Sequence, residues 1–187
     1  ITTMASNNWE SFGVEPSDEA RKKVETKSKA KNLSVFKKLD DLPEKKFDVI
    51  TLWHVLEHVP HPDQLIQHLK EKLTEGGLIF VAVPNHKSYD AECYKNHWAA
   101  YDVPRHFWHF APDQMAALFT NNNLNLKETL PMKLDAYYVS LLSEKYKNNS
   151  KHNWVTPIKA LLKGLQSNAK ARKTLNYSSL IYIAGHA

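Results

Sequence analysis

The sequence lacks several features that would assign it to a special class of protein. Cys93 is the single cysteine in 187 residues, so no internal disulfide forms, which fits a reducing cytosol. No apolar run reaches the ~18 residues that a membrane-spanning helix needs. The first residues carry no signal-peptide pattern, and internal repeats are absent. These absences predict a cytoplasmic globular protein with a single domain over residues 1–187.

Acidic residues are missing from one long stretch. The net charge is +5, and residues 145–173 contain eight Lys or Arg and no Asp or Glu. Such a stretch is usually a solvated face, and we expect no nucleic-acid partner. An anionic membrane surface is the alternative, because the segment also carries an apolar stripe at Ile158, Leu161, Leu162 and Leu165, with Trp154 upstream. We expect this segment to pack on the body of the protein, near residues 101–110, and to help enclose an acceptor site.

Apolar runs alternate with helical periodicities along the first half of the chain. Short apolar runs predict strands at 9–15, 33–36, 47–53 and 78–83, and residues 1–8 look like the end of a helix. Helical spacing predicts helices that begin at Ser17 and at Asp63, the second ended by Gly76-Gly77. This alternation is typical of an α/β fold with a parallel sheet. Later segments predict a helix over 112–122, a strand over 124–130, a helix over 157–166 and a strand over 177–184.

The central stretch, FDVITLWHVLEHV, covers Phe47–Val59. Its first half suits a strand buried on both faces, and its second half becomes a short polar turn. Ligands of open α/β sheets lie at the carboxyl ends of strands, so His54, Glu57 and His58 are candidates for a site wall. With His61, the two histidines also have a spacing that could present three imidazoles to zinc.

A long connection at His86–Phe110 is rich in aromatic residues and histidine. A connection of this length inside a compact domain is usually a lid or a binding loop. Arg105, His106 and His109 form a candidate general-base or anion-binding group within it. The structural alternative is that neighbouring aromatic rings merely hold the two histidines in place.

Several stretches together resemble class I S-adenosylmethionine-dependent methyltransferases with an LEHV-type turn after a central strand. They are GVEPS (13–17), LDDLP (39–43), FDVITLWHVLEHVPHP (47–62), GGLIFVAVPN (76–85) and YDVPRHFWHF (101–110). The resemblance covers roughly residues 1–130, with 177–184 as a further strand. It implies a doubly wound Rossmann-like sheet, mostly parallel, with an antiparallel strand near the C-terminus. Residues 1–85 would bind the cofactor, and residues 86–187 would form the acceptor side.

The resemblance also implies which residues bind S-adenosylmethionine. Glu15, at the end of a strand, would accept both ribose hydroxyls of the cofactor. The full set of expected cofactor-binding residues is Glu15, Pro16, Asp40, Asp41, Leu42, Trp53, His54 and His58. No metal is expected, because the LEHV pattern recurs in the family without one.

The family's glycine-rich motif, on the first strand and the turn after it, is missing from this sequence. We therefore expect residues 1–8 to be the end of the first family helix and the chain to be a C-terminal portion. Without that strand, the sheet would have an empty slot, and the chain alone would bind cofactor poorly.

The expected reaction is methyl transfer to an oxygen or carbon of a small molecule, with His106 or His109 as the base and Arg105 beside them. One alternative is a catalytically inactive methyltransferase-like binding module. The other is a nicotinamide-dependent oxidoreductase, whose fold shares a strand-terminal acid such as Glu15. The acceptor and the oligomeric state are left open.

Overall fold

The computed structural model describes residues 1–27, 32–148 and 155–187, which form two compact units. The first unit, residues 1–45, contains α1 (Thr2–Ser6), β1 (Ser11–Val14), α2 (Asp18–Lys27) and β2 (Leu33–Phe36). The second unit, residues 46–187, contains β3 (Phe47–Trp53), α3 (Pro62–Glu71), β4 (Leu73–Pro84), α4 (Tyr89–Tyr94), α5 (Pro112–Asn121), β5 (Leu124–Pro131), α6 (Asp135–Lys147), α7 (Val155–Thr174) and β6 (Ser179–His186). No described helix is both long and apolar enough to cross a membrane.

The first unit is a parallel strand pair. β1 and β2 pair from Ser11 opposite Leu33 to Val14 opposite Phe36. Parallel neighbours need a crossover connection, and α2 lies between them in the chain. The Phe12 and Phe36 rings stack with centroids 6.3 Å apart, and the Lys45 ammonium lies 4.2 Å from the Phe12 centroid. The structure has a helix within residues 1–8 and a strand before Glu15, as predicted. That this helix is the end of a longer one stays a prediction.

The second unit contains a four-stranded sheet in the order β3-β4-β6-β5. β3 and β4 are parallel, and β6 is antiparallel to both of its neighbours. The α/β class and the antiparallel C-terminal strand are therefore confirmed. The prediction of a strand buried on both faces is confirmed for β4. It is wrong for β3, which is the edge strand of this sheet and has Thr51 and Trp53 exposed.

The predicted glycine cap after α3 is wrong. Lys72 closes the helix with φ −90°, and its N–H bonds to the carbonyl of Leu69, so no left-handed residue is needed. β4 begins directly at Leu73, which pairs with Phe47. Gly77 instead lets the Leu73 side chain lie close to the backbone, since a Cβ at this position would be 2.8 Å from that side chain.

The connection at 86–110 is more ordered than a lid loop would require. It contains α4 and two 3₁₀ turns, Lys95–His97 and Ala99–Tyr101. A β-bridge between Asn85 and Phe110 joins the two ends of this connection. Trp98 is almost completely buried, so its ring belongs to the core of this segment and does not line an open site.

α6 and α7 pack against each other through small side chains. α6 was not predicted because its buried side includes Ala136, Ser140 and Ser143, which give no hydrophobic stripe. On α7 the buried positions include Ala160, Gly164, Ser167 and Ala171. A Cβ at Gly164 would lie 3.0 Å from the Tyr137 Cα, so these helices approach closely.

The apolar residues of α7 lie on the open side of the helix. The helix does contact α4 and α6, but Ile158, Leu161, Leu162 and Leu165 are each about half exposed. The segment therefore packs on the second unit as expected, but through its small-residue side and not through the apolar stripe. Its expected role in enclosing an acceptor site near residues 101–110 stays a prediction. Trp154 lies outside the described residues.

Asp90 joins three distant parts of the second unit. This fully buried carboxylate accepts hydrogen bonds from the Ser167 hydroxyl of α7 at 2.6 Å and from the Ser178 hydroxyl, next to β6, at 2.7 Å. It also accepts the indole N–H of Trp98 at 2.8 Å. Buried polar groups without a partner are costly, so all four groups depend on one another.

We expect Asp90→Ala to lower the free energy of unfolding by ~3 kcal/mol or more, because it leaves three buried donors unsatisfied, at about 1–3 kcal/mol each. Urea unfolding monitored by circular dichroism measures this loss. Glu92→Ala, in the same helix but exposed, is the control and should change little. Equal stabilities for the two variants would contradict this role of Asp90.

Candidate active site

The turn after β3 is joined to the 101–110 segment by backbone hydrogen bonds. The N–H groups of Phe107 and Trp108 donate to the Glu57 carbonyl at 2.9 and 3.3 Å. The Trp108 indole N–H donates to the Val59 carbonyl at 3.0 Å. Two stretches that the sequence identifies separately, LEHV and PRHFWH, thus form one structural unit.

His54 connects this turn to α6. It follows β3 with φ 51°, in the left-handed region that is uncommon for a residue with a side chain. Its Nδ1 lies 3.2 Å from Glu57 Oε1, and its Nε2 lies 3.2 Å from Asp135 Oδ2. An imidazole can donate from both nitrogens only when it is protonated, so two carboxylate partners favour the imidazolium form.

These contacts shift the pKa values of both His54 and Asp135. The hydrogen bond to Asp135, followed by that to Glu57, raises the pKa of His54 to about 9 against the opposing effect of burial. Burial acts to raise the pKa of Asp135, but the contact with His54 helps to hold it below its usual value. At neutral pH, His54 is therefore a cation with both nitrogens occupied and is unsuited to act as a base.

Glu57, His58 and His106 form a second, adjacent group. Their ligand atoms all lie within 4.8 Å of one another, and the two imidazole rings meet edge to face at 4.5 Å. Glu57 is almost completely buried, and its Oε2 has no hydrogen-bond partner among the described residues. A buried carboxylate oxygen without a donor is costly, and such sites are often functional.

Backbone carbonyls orient both imidazoles in this group. His58 Nδ1 lies 3.0 Å from the Arg105 carbonyl, and His106 Nδ1 lies 2.9 Å from the Ala100 carbonyl. A carbonyl only accepts, so each Nδ1 carries a proton, and the neutral form of either ring has its lone pair on Nε2. Burial lowers the pKa of His106, which keeps this ring neutral and able to accept a proton.

The other two predicted catalytic residues are placed differently. His109 Nε2 donates to the Tyr101 carbonyl at 2.9 Å, and its ring packs edge to face on Tyr101. The Arg105 guanidinium is largely exposed and pairs with Asp102 at 2.6 Å. His106 is therefore the predicted catalytic residue that lies beside a buried carboxylate.

The trio Glu57, His58 and His106 also has the donor types of a transition-metal site. Two imidazoles and one carboxylate suit zinc or iron, and backbone carbonyls that hold the far ring nitrogens are typical of metal-ligating histidines. This differs from the His54, His58 and His61 spacing considered from the sequence, because His54 is bound to two carboxylates and His61 precedes α3.

The first unit holds the predicted ribose and adenine residues. Glu15 directly follows β1, and its Oε1 accepts the Ser17 backbone N–H at 2.8 Å. Arg21 fixes the same turn by donating to the carbonyls of Glu15 and Pro16 at 2.6 and 2.9 Å. A half-buried carboxylate that is held at a strand end has the acceptor chemistry that two hydroxyl donors require.

Asp40 and Asp41 lie in a 3₁₀ turn, Leu39–Asp41, in the same unit. Asp41 accepts the Lys38 backbone N–H at 3.1 Å, so its carboxylate has a local structural role. Asp40 is exposed and Leu42 is half-buried. In the second unit, Trp53 ends β3 with half of its side chain exposed. Cofactor binding by these residues stays a prediction.

Asp135 is the residue that sequence analysis missed. It opens α6, a helix without a clear hydrophobic pattern, and nothing in the local sequence connects it to His54, 81 positions earlier. The local sequence offers one signal, which is an acidic residue shortly after Pro131. In the first turn of a helix, such a negative charge interacts favourably with the helix dipole. That signal predicts a helix start but not a histidine partner.

Comparisons with known proteins identify the class. The sequence profile of a family described as "Methyltransferase domain" matches residues 2–129. A 40-residue stretch is 52% identical to a ubiquinone biosynthesis O-methyltransferase of Glaesserella parasuis serovar 5 (strain SH0165). That stretch is 21% of this chain and 17% of the relative, so the match spans less than a fifth of the relative's length.

Solved structures show the fold. Magnesium protoporphyrin IX methyltransferase from Synechocystis PCC 6803, with S-adenosylhomocysteine bound, superposes with a TM-score of 0.59 at 13% identity, over 100% of this chain and 68% of that one. The structure of a [4+2]-cyclase superposes with a TM-score of 0.60 at 12% identity, over 94% of this chain and 65% of that one. Because a cyclase shares the fold, the fold alone does not define the reaction.

The chain belongs to the methyltransferase-domain family, as the profile match over most of its length shows. The resemblance to class I S-adenosylmethionine-dependent methyltransferases and the Rossmann-like fold are thereby confirmed. The LEHV-type subgroup and the single-domain assignment stay predictions.

The His54 bridge predicts a pH dependence of stability. The folded pKa of about 9 lies above the unfolded value of 6.5, so the stabilisation is complete below pH 6.5 and is lost as the pH rises through 9. Thermal unfolding of the protein should therefore move to lower temperature between pH 7 and about 9. In His54→Gln, where residue 54 does not titrate, the unfolding temperature should depend less on pH. The same pH dependence in this variant and in the wild type would refute the assignment.

Proposed function

We propose that this protein transfers a methyl group from S-adenosylmethionine to an oxygen or carbon of a small-molecule acceptor. The single observation that carries the proposal is the imidazole of His106 within 4.8 Å of the buried Glu57, with its pKa lowered by burial, in a chain of the methyltransferase-domain family. S-adenosylmethionine supplies a methyl group on a sulfonium, which is already activated. The chain's own residues then have to bind the two reactants, orient them and receive a proton.

The arrangement around His106 suits proton transfer. Its Nε2 has the lone pair, its Nδ1–H is fixed on the Ala100 carbonyl, and Glu57 is close enough to stabilise a positive ring. A hydroxyl acceptor loses its proton as the new bond to carbon forms, and His106 would take that proton. His58, which is oriented in the same way, is the alternative base.

An oxygen acceptor is favoured over a carbon acceptor. The 52% identity over 40 residues is to a protein named as an O-methyltransferase. A hydroxyl acceptor also gives the neutral imidazole a direct role, whereas a carbon nucleophile needs a base only to remove a proton afterwards. A catalytically inactive binding module would not need a neutral histidine beside an unpartnered buried carboxylate.

The first test concerns His106. We expect His106→Asn to lower turnover by ~10²–10⁴-fold in the full-length protein, because the amide retains a donor for Ala100 but cannot act as a base. Affinity for S-adenosylhomocysteine, measured by calorimetry, should not change. His97→Ala, at an exposed position in a 3₁₀ turn, is the control. In the wild type, kcat/KM should fall at acidic pH, below the usual histidine range, because the pKa of His106 is lowered.

The second test concerns Glu15. Two hydroxyl donors on one carboxylate form charge-assisted bonds of about 1.5–3 kcal/mol each. Glu15→Ala should therefore weaken S-adenosylhomocysteine binding by tenfold or more in the full-length protein. Glu25→Ala, which is exposed on α2, serves as the matched control. An unchanged affinity in Glu15→Ala would remove this residue from the cofactor site.

A further inference from the structure

One face of α7 is apolar and open. Ile158, Leu161, Leu162 and Leu165 fall within one side of the helix and are 49–53% exposed. Leu134 extends this surface, because it is 80% exposed and the carbonyl of Lys133 next to it accepts the Asn168 side chain at 2.9 Å. We call these five residues the α7 stripe. The opposite side of the helix packs on α4 and α6, so the open side is not needed to hold the helix in place.

Basic residues continue the same face toward the end of the helix. Arg172 and Lys173 follow Leu161 and Leu162 by eleven positions, which is about three helical turns. Both side chains are exposed. The α7 sequence contains five Lys or Arg and no acid, so every charged side chain of this helix is basic.

Two other basic residues of α7 have a partner within the protein. Lys170 lies 3.8 Å from the centroid of the Tyr89 ring, and Lys163 lies 5.8 Å from it. The contact of these two lysines with the Tyr89 ring of α4 accounts for part of the excess of basic residues in α7. Arg172, Lys173 and the stripe are not explained by this contact.

We propose that the α7 stripe, with Arg172 and Lys173, binds the surface of a bilayer that contains anionic lipid. An apolar face beside positive side chains is the pattern of helices that lie in the membrane interface, where apolar burial and attraction to lipid headgroups add. A second copy of the chain fits less well, because the same face of another α7 brings no acid to pair with Arg172 and Lys173.

This surface is separate from the proposed catalytic group. The stripe belongs to α7 and to the residue before α6, whereas His106 and Glu57 belong to the turn after β3 and to the 101–110 segment. The inference therefore goes beyond the proposed reaction and does not depend on it. A membrane-bound chain would be placed where hydrophobic acceptors are concentrated.

Sedimentation with vesicles tests the proposal in the full-length protein. We expect binding to vesicles of phosphatidylcholine with phosphatidylglycerol, weaker binding to phosphatidylcholine alone, and release from the anionic vesicles at high salt. Leu161→Asp should reduce the bound fraction at least tenfold, and Arg172→Ala with Lys173→Ala should remove the preference for anionic lipid. Gln64→Asp, at an exposed position of α3, introduces the same charge outside α7 and should bind like the wild type.

Three results would overturn the proposal. They are no binding to anionic vesicles, equal binding of Leu161→Asp and wild type, and a stripe-dependent dimer in solution that does not bind vesicles. Circular dichroism should show that Leu161→Asp stays folded, as expected for an exposed position. Affinity for S-adenosylhomocysteine should be the same in all variants, so a failure here is distinct from a failure of the proposed function.

Discussion

The second unit depends on the carboxylate of Asp90. Three donors converge on it, one from the indole of Trp98, one from α7 and one from the residue before β6. These groups are distant in sequence, so the carboxylate fixes the 86–110 connection, the α7 helix and the entry to the last strand together. The effect is cooperative because each donor is buried and has no solvent to replace its acceptor.

The candidate site follows from this arrangement. The 86–110 connection is fixed at one end by Asp90 and Trp98, and at the other by the hydrogen bonds from Phe107 and Trp108 to Glu57. His106 therefore lies on a segment that is held on both sides. A base has to stay within hydrogen-bond distance of its proton donor, and a rigid backbone around it keeps that geometry.

The sequence predicted the strands well because their apolar runs are short and bounded by polar residues, as in 33–36 and 47–53. It failed for α6, whose buried face contains Ala136, Ser140 and Ser143, and for the exposed side of α7, where the larger side chains face solvent. Hydrophobic periodicity assumes that large residues are buried, and close helix packing reverses that rule. At the site, His106 and Glu57 were identifiable from motifs, but the contact between His54 and Asp135 is set by the tertiary fold alone.

The bridge made by His54 also determines the electrical balance of the site. One imidazolium lies between two carboxylates, so the group carries one net negative charge at neutral pH. A single negative charge in a partly buried group lowers the energy of any cation that forms nearby, and raises that of an anion. The site is thus suited to chemistry in which positive charge arrives with one reactant and leaves as a proton, and it would repel an acceptor that is already deprotonated.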